Sequence, residues 1–81
     1  MRPLVTLYTR AGCCLCDDAK RVLNEARRRV EFEYEELDID RDPELHRLYT
    51  DEVPVIAINR AKAFKCGVEL AEFLKKLAAR A

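Results

Sequence analysis

Apolar residues fall along this chain in short blocks, and their spacing switches between continuous runs, alternation and a helical period. Leu4-Val5-Thr6-Leu7-Tyr8 is β-rich and mostly apolar, the pattern of a strand buried on both faces. Residues 14–28 carry a helical period. At about 100° per residue, Leu15, Ala19, Val22, Leu23, Ala26 and Val30 form one apolar stripe, with Cys16 at its edge. Val30-Glu31-Phe32-Glu33-Tyr34 alternates with period two and predicts a strand with one buried face. The alternation slips at Glu35-Glu36 and resumes at Leu37 and Ile39, as a bulge or the strand's end would make it do. Asp42-Pro43 reads as a helix start, Asp as N-cap and Pro at the first helical position, with Leu45, Leu48 and Tyr49 as the apolar stripe. Val53-Pro54 leads into a second buried strand, Val55-Ile56-Ala57-Ile58. Asn59-Arg60-Ala61-Lys62 reads as a hairpin turn and Ala63-Phe64-Lys65-Cys66 as the return strand. Gly67 breaks that strand, and residues 68–79 form a third helix with Leu70, Ala71, Leu74, Leu77 and Ala78 facing inward.

The predicted order is βαβαββα. A strand–crossover–strand unit implies parallel pairing of the first two strands, and the final hairpin is antiparallel. The fold class is therefore α/β, a four-stranded mixed sheet flanked by three helices, in a single domain spanning residues 1–81.

Charge narrows the partners. Lys plus Arg and Asp plus Glu number 15 each, so no overall field draws the chain to nucleic acid or to an anionic membrane. No apolar run approaches the ~20 residues that cross a bilayer. Met1-Arg2-Pro3 leads into a strand and not into a signal-peptide core, so the expected location is cytoplasmic. The expected state is a monomer. The arginines 27–29 complement the end of the first helix dipole, and the acidic stretch 31–44 reads as a solvated face and loop. His46, the one histidine, falls on the polar side of its helix and is expected to be exposed.

The candidate chemistry lies in Cys13-Cys14-Leu15-Cys16, between the first strand and the first helix. Free N–H groups and the dipole at a helix N-terminus favour thiolate over thiol. Cys13 lies away from the apolar stripe and Cys16 at its edge, so Cys13 reads as the exposed attacking thiol and Cys16 as the shielded resolving one. In a cytoplasmic chain, paired cysteines are usually catalytic, redox-sensing or metal-binding rather than structural. Gly12 lets the chain turn just ahead of Cys13, and Arg10 is the nearest opposing charge to the thiols.

With Thr6-Leu7-Tyr8-Thr9-Arg10 leading into Cys13-Cys14-Leu15-Cys16-Asp17, and Val53-Pro54-Val55 before the hairpin, the chain resembles the glutaredoxin branch of the thioredoxin fold over nearly its whole length. The Leu-Cys-acidic ending of the motif looks most like the small glutaredoxin-like proteins. The resemblance implies a thiol–disulfide oxidoreductase that reduces or exchanges protein or glutathione mixed disulfides. It implies that Cys13 attacks and Cys16 resolves, that Pro54 is cis and lies against the disulfide, and that the Val53 backbone pairs with the substrate. Arg10 stands where many glutaredoxins carry a basic residue contacting glutathione. The implied partner is a disulfide-containing protein or glutathione, the latter as cosubstrate, with no bound cofactor and no metal. Cys14 departs from the usual Pro or His, and Leu15 from the frequent Tyr. Phe64-Lys65-Cys66-Gly67 replaces the Gly-Gly pair that lies close to glutathione in that family.

Two other functions compete. Cys13, Cys14, Cys16 and Cys66 supply the four thiols of a zinc or iron–sulfur module, although one helix spreads Cys14 and Cys16 around its axis. A non-enzymatic adaptor on the same fold is the third reading. Cys14 is expected to be an exposed bystander. Cys66 is expected to be a packed small residue, or else to sit near the active-site mouth.

Overall fold

The computed structural model describes residues 2–80. Its elements are β1 (Leu4–Thr9), α1 (Cys14–Arg29), β2 (Glu33–Asp38), a single 3-10 turn (Ile39–Arg41), α2 (Pro43–Tyr49), β3 (Val55–Ile58), β4 (Ala61–Lys65) and α3 (Leu70–Arg80). The sheet order is β2-β1-β3-β4. β1 pairs with β2 in parallel and with β3 antiparallel, and β3 pairs with β4 antiparallel. This is the mixed sheet that the apolar pattern predicts.

The two apolar runs occupy the middle of the sheet because both of their faces are covered. In β1, Val5, Thr6 and Leu7 are buried, and all of β3 is buried. Val5 and Leu7 point to one face, where Ala19, Leu23 and Ala26 of α1 and Phe73 and Leu77 of α3 join Phe32, Ile56 and Ile58 in the core. Successive strand residues point to opposite faces, so Tyr8 follows Thr6 to the other side. There its ring lies 4.7 Å from that of Tyr49 at the end of α2. α2 itself has no buried residue. Among the described residues, no helix is long and apolar enough to cross a membrane.

Five expectations shift. In α1 the buried line is Cys16, Ala19, Leu23 and Ala26, while Leu15 and Val30 are exposed. The helix is turned by about one residue, which brings Cys16 to the sheet and puts Leu15 outside. The second strand starts at Glu33 and not at Val30. Val30 is the C-cap of α1, its N–H donating to Ala26 O, and Phe32 packs against Phe73 before the strand begins. The β1–β2 register runs unbroken over six pairs, so no bulge follows Tyr34; the irregularity lies between Ile56 and Ala57. In α3, Phe73 and Leu77 are the buried residues, and Ala71 and Ala78 are exposed. The hairpin turn is tighter than expected, with Asn59 and Arg60 both at positive φ.

Candidate active site

The end of the sheet where β1 finishes and β3 begins gathers the residues of interest. Tyr8 pairs with Val55, so the loop after β1 and the loop before β3 emerge side by side. Gly12 takes φ +78°, a left-handed turn just ahead of Cys13. Cys13 then stands as the N-cap of α1, with extended backbone (φ −93°, ψ 111°). Its sulfur accepts the backbone N–H of Cys16 at 3.2 Å, and its carbonyl accepts that of Asp17 at 3.2 Å. A sulfur thus fills the place usually held by a Ser or Asp oxygen. Asp17 adds its charge to the first turn. All four cysteines are free thiols.

The two motif cysteines differ in exposure, as their helical positions require. Cys13 is half-buried and Cys16 is 1% exposed. Burial, followed by the hydrogen bond with Cys13, pushes the Cys16 thiol up; the Thr9 hydroxyl and the Arg10 backbone N–H act in the opposite direction without cancelling the rise. Cys14 and Leu15 are exposed on the outer side of the same turn.

Arg10 points elsewhere. Its guanidinium pairs with Asp40 at 3.0 Å and donates to the carbonyl and hydroxyl of Thr50, both at 3.3 Å. The Val53–Pro54 bond is cis, Pro54 is buried, and the Val53 N–H donates to Tyr49 O at 3.2 Å. His46 is exposed and lies 3.6 Å from Asp40.

Cys66 is exposed and not packed, which corrects its leading expectation. Its N–H donates to Glu52 O at 3.0 Å, tying it to the segment before Pro54 and to this end of the sheet. Cys66 and Gly67 both have positive φ, +64° and +147°. They line an open groove of about 420 Å³ with Phe64, Val68 and Glu69 at the start of α3. Among the described residues, no three His, Cys, Asp or Glu side chains converge as metal ligands would. The four thiols therefore do not form one donor set within the chain.

Thr9 was absent from the sequence reading of the site. Its hydroxyl is buried without a hydrogen-bond partner. A threonine at the end of a strand carries no sign of this in a single sequence.

A mixed sheet with a Cys-x-x-Cys turn at a helix start and a cis-proline loop beside it defines the thioredoxin-like class. Residues 4–78 match the glutaredoxin-like domain family (DUF836), and the chain belongs to that family. Its fold is similar to that of the structural-genomics target protein XcR50 from X. campestris, at 29% identity and a TM-score of 0.78, covering 93% of this chain and 96% of that one. It is also similar to protein Ne2328 from Nitrosomonas europaea, at 26% identity and a TM-score of 0.80, covering 94% and 92%. Chloroplastic thioredoxin z shares the fold at 15% identity and a TM-score of 0.80, covering 96% of this chain and 77% of that one.

Proposed function

We propose that this protein is a thiol–disulfide oxidoreductase working through Cys13 and Cys16. The observation that carries this reading is the asymmetry of the pair. The Cys13 sulfur caps α1 within reach of solvent and accepts the Cys16 N–H, while Cys16 is sealed behind it. The Cys13 thiolate attacks one sulfur of a substrate disulfide, forms a mixed disulfide and releases the other sulfur as a thiol. Cys16 then displaces the remaining substrate sulfur and leaves a Cys13–Cys16 disulfide. The substrate disulfide gains the two electrons that the cysteine pair loses.

Glutathione or a protein thiol would dock across Val53-Pro54 and the groove beside Cys66 and Gly67. Both positions hold the positive φ that a Gly-Gly pair adopts readily, so the loss of the first glycine leaves the backbone path intact. Exposed Leu15 supplies apolar surface beside Cys13. Arg10 would reach a substrate carboxylate by exchanging it for Asp40. The expected setting is a reducing compartment such as the cytoplasm, with the chain acting as a monomer.

The test equilibrates the reduced protein across glutathione redox buffers, with acid quench, alkylation and mass mapping of each cysteine. A Cys13–Cys16 disulfide forming at a defined potential is expected, and Cys16→Ser should trap the adduct on Cys13. Cys13 and Cys16 remaining separate thiols in every buffer would overturn the proposal.

A further inference from the structure

Tyr8, Val55 and Lys65 lie in one register row across β1, β3 and β4. The loop entering Cys13, the Val53-Pro54 segment and the groove beside Cys66 therefore open on the same end of the sheet. Neighbouring strands lie about 4.8 Å apart, so the exit of β1 and the end of β4 are roughly 10 Å from each other. That is about one Debye length at 0.1 M salt, so charges on the groove act on a molecule that reaches Cys13.

At this end the cations are engaged and the anions are not. Arg10, in the loop ahead of Cys13, pairs with Asp40 at 3.0 Å and donates twice to Thr50. The cleft that Arg10 also lines carries two more acids, Glu36 and Asp38. Lys62 is held by Glu52 at 2.6 Å. Asp17, in the first turn of α1, and Glu69 and Glu72, in the wall of the groove, are all exposed. Among the described residues, none of these three acids makes an ion pair. Lys65 stands against them on the groove wall.

We infer that the site takes a disulfide carried on a basic stretch of protein, with lysine or arginine beside the half-cystine, and that Asp40 sets this preference by occupying Arg10. The inference rests on the dithiol reading above and deepens it by naming the substrate class. Glutathione disulfide has more carboxylates than ammonium groups and is a net anion at neutral pH. To use Arg10 it must displace Asp40, and in the groove it meets Glu69 and Glu72. A basic side chain meets the same acids as an opposite charge. Like charges brought together are penalised, and opposite charges speed the encounter. The chemistry is the exchange already written. The Cys13 and Cys16 thiols give up two electrons and two protons and become one disulfide; the substrate disulfide takes up the same electrons and protons and becomes two thiols.

The test is a single turnover of the full reduced chain with three disulfides. One is glutathione disulfide. The others are the disulfide-linked dimers of two short peptides, with lysine or with glutamate on both sides of the cysteine. Acid quench and mass mapping give the rate at which the Cys13–Cys16 disulfide forms. Each rate is divided by that of the same disulfide with dithiothreitol, which removes intrinsic differences between leaving thiols. In ~10 mM salt the lysine peptide should react about tenfold faster than the glutamate peptide and glutathione disulfide, and the gap should narrow in ~1 M salt. Asp40→Asn should raise the rate with glutathione disulfide about threefold, and Arg10→Gln added to it should take that gain away. Equal corrected rates, a faster reaction of either anionic disulfide, or a preference that ignores salt would overturn the substrate class, and this comparison needs no substitution. Asp40→Asn without a gain, or a gain that survives Arg10→Gln, would overturn the role of Asp40. Wild type that forms no Cys13–Cys16 disulfide with any of the three would instead overturn the dithiol reading, and this inference with it.

Discussion

Arg10 and Asp40 form an ion pair at 3.0 Å that ties the loop entering Cys13 to the turn after β2. The same guanidinium reaches Thr50 at the end of α2, so one side chain joins three connections at the reactive end of the sheet. Its side chain is about a third exposed, and solvent screens the pair. Arg10→Ala should therefore cost about 0.5–1 kcal/mol in urea unfolding, with a smaller difference in high salt. A loss that does not respond to salt would assign the effect to packing of the arginine stem.

Lys62 and Glu52 form a second tie, at 2.6 Å, between β4 and the segment before Pro54. The hydrogen bond from Lys62 holds the Glu52 carboxyl below the usual carboxylate range, and the same bond raises the Lys62 ammonium. The signs follow from linkage. Glu52 contributes stability above the ordinary carboxylate range, and this is lost as pH falls through its lowered folded value. Lys62 contributes below the ordinary lysine range, and this is lost as pH rises through its raised folded value. In Tm against pH, Lys62→Gln should fall below wild type across the neutral plateau and converge with it at both extremes. A constant offset at every pH would show that the pair carries no such linkage.

Phe73 is fully buried, with its ring centroid 5.6 Å from Phe32 and 6.3 Å from Phe64. It joins α3 to the entry of β2 and to β4. Phe73→Ala should cost about 3–5 kcal/mol, a large share of the stability of so small a domain. Equilibrium urea unfolding checks this, and Phe73→Leu should lose clearly less.

Cys66 holds φ +64° with a Cβ that a glycine would lack. Left-handed backbone costs a non-glycine residue roughly 1–2 kcal/mol, part of which glycine returns through its freer unfolded chain. Cys66→Gly should therefore raise stability by up to about 1 kcal/mol in the same assay. A decrease would mean that the sulfur makes a contact worth more than the strain.

The architecture was legible because its two central strands are continuous apolar runs and its first two helices begin at capping residues. Asp42-Pro43 and the Cys-x-x-Cys turn each mark a start by local chemistry alone. What escaped the sequence depends on rotation and pairing. Leu15 and Cys16 lie next to each other on a helix, and the sheet alone decides which one is covered. Val30 to Tyr34 alternates like a strand, yet the cap of α1 and the ring of Phe73 take its first residues before β1 can pair. At the site, the cysteines were legible as a spacing. The engagement of Arg10 by Asp40 and the orphan hydroxyl of Thr9 arise from chain segments brought together only by folding.

The cap sulfur of Cys13 couples two properties usually measured apart. While Cys13 is reduced, its sulfur completes the first turn of α1; under the proposed mechanism, oxidation withdraws that sulfur into a bond with Cys16. An N-cap is worth about 1 kcal/mol, which for a two-electron couple is about 20 mV. The energy that closes the helix is then part of the electron affinity of the dithiol. Any substitution that frays the first turn in the reduced state should make the protein a stronger electron donor, whether or not it lies near a sulfur.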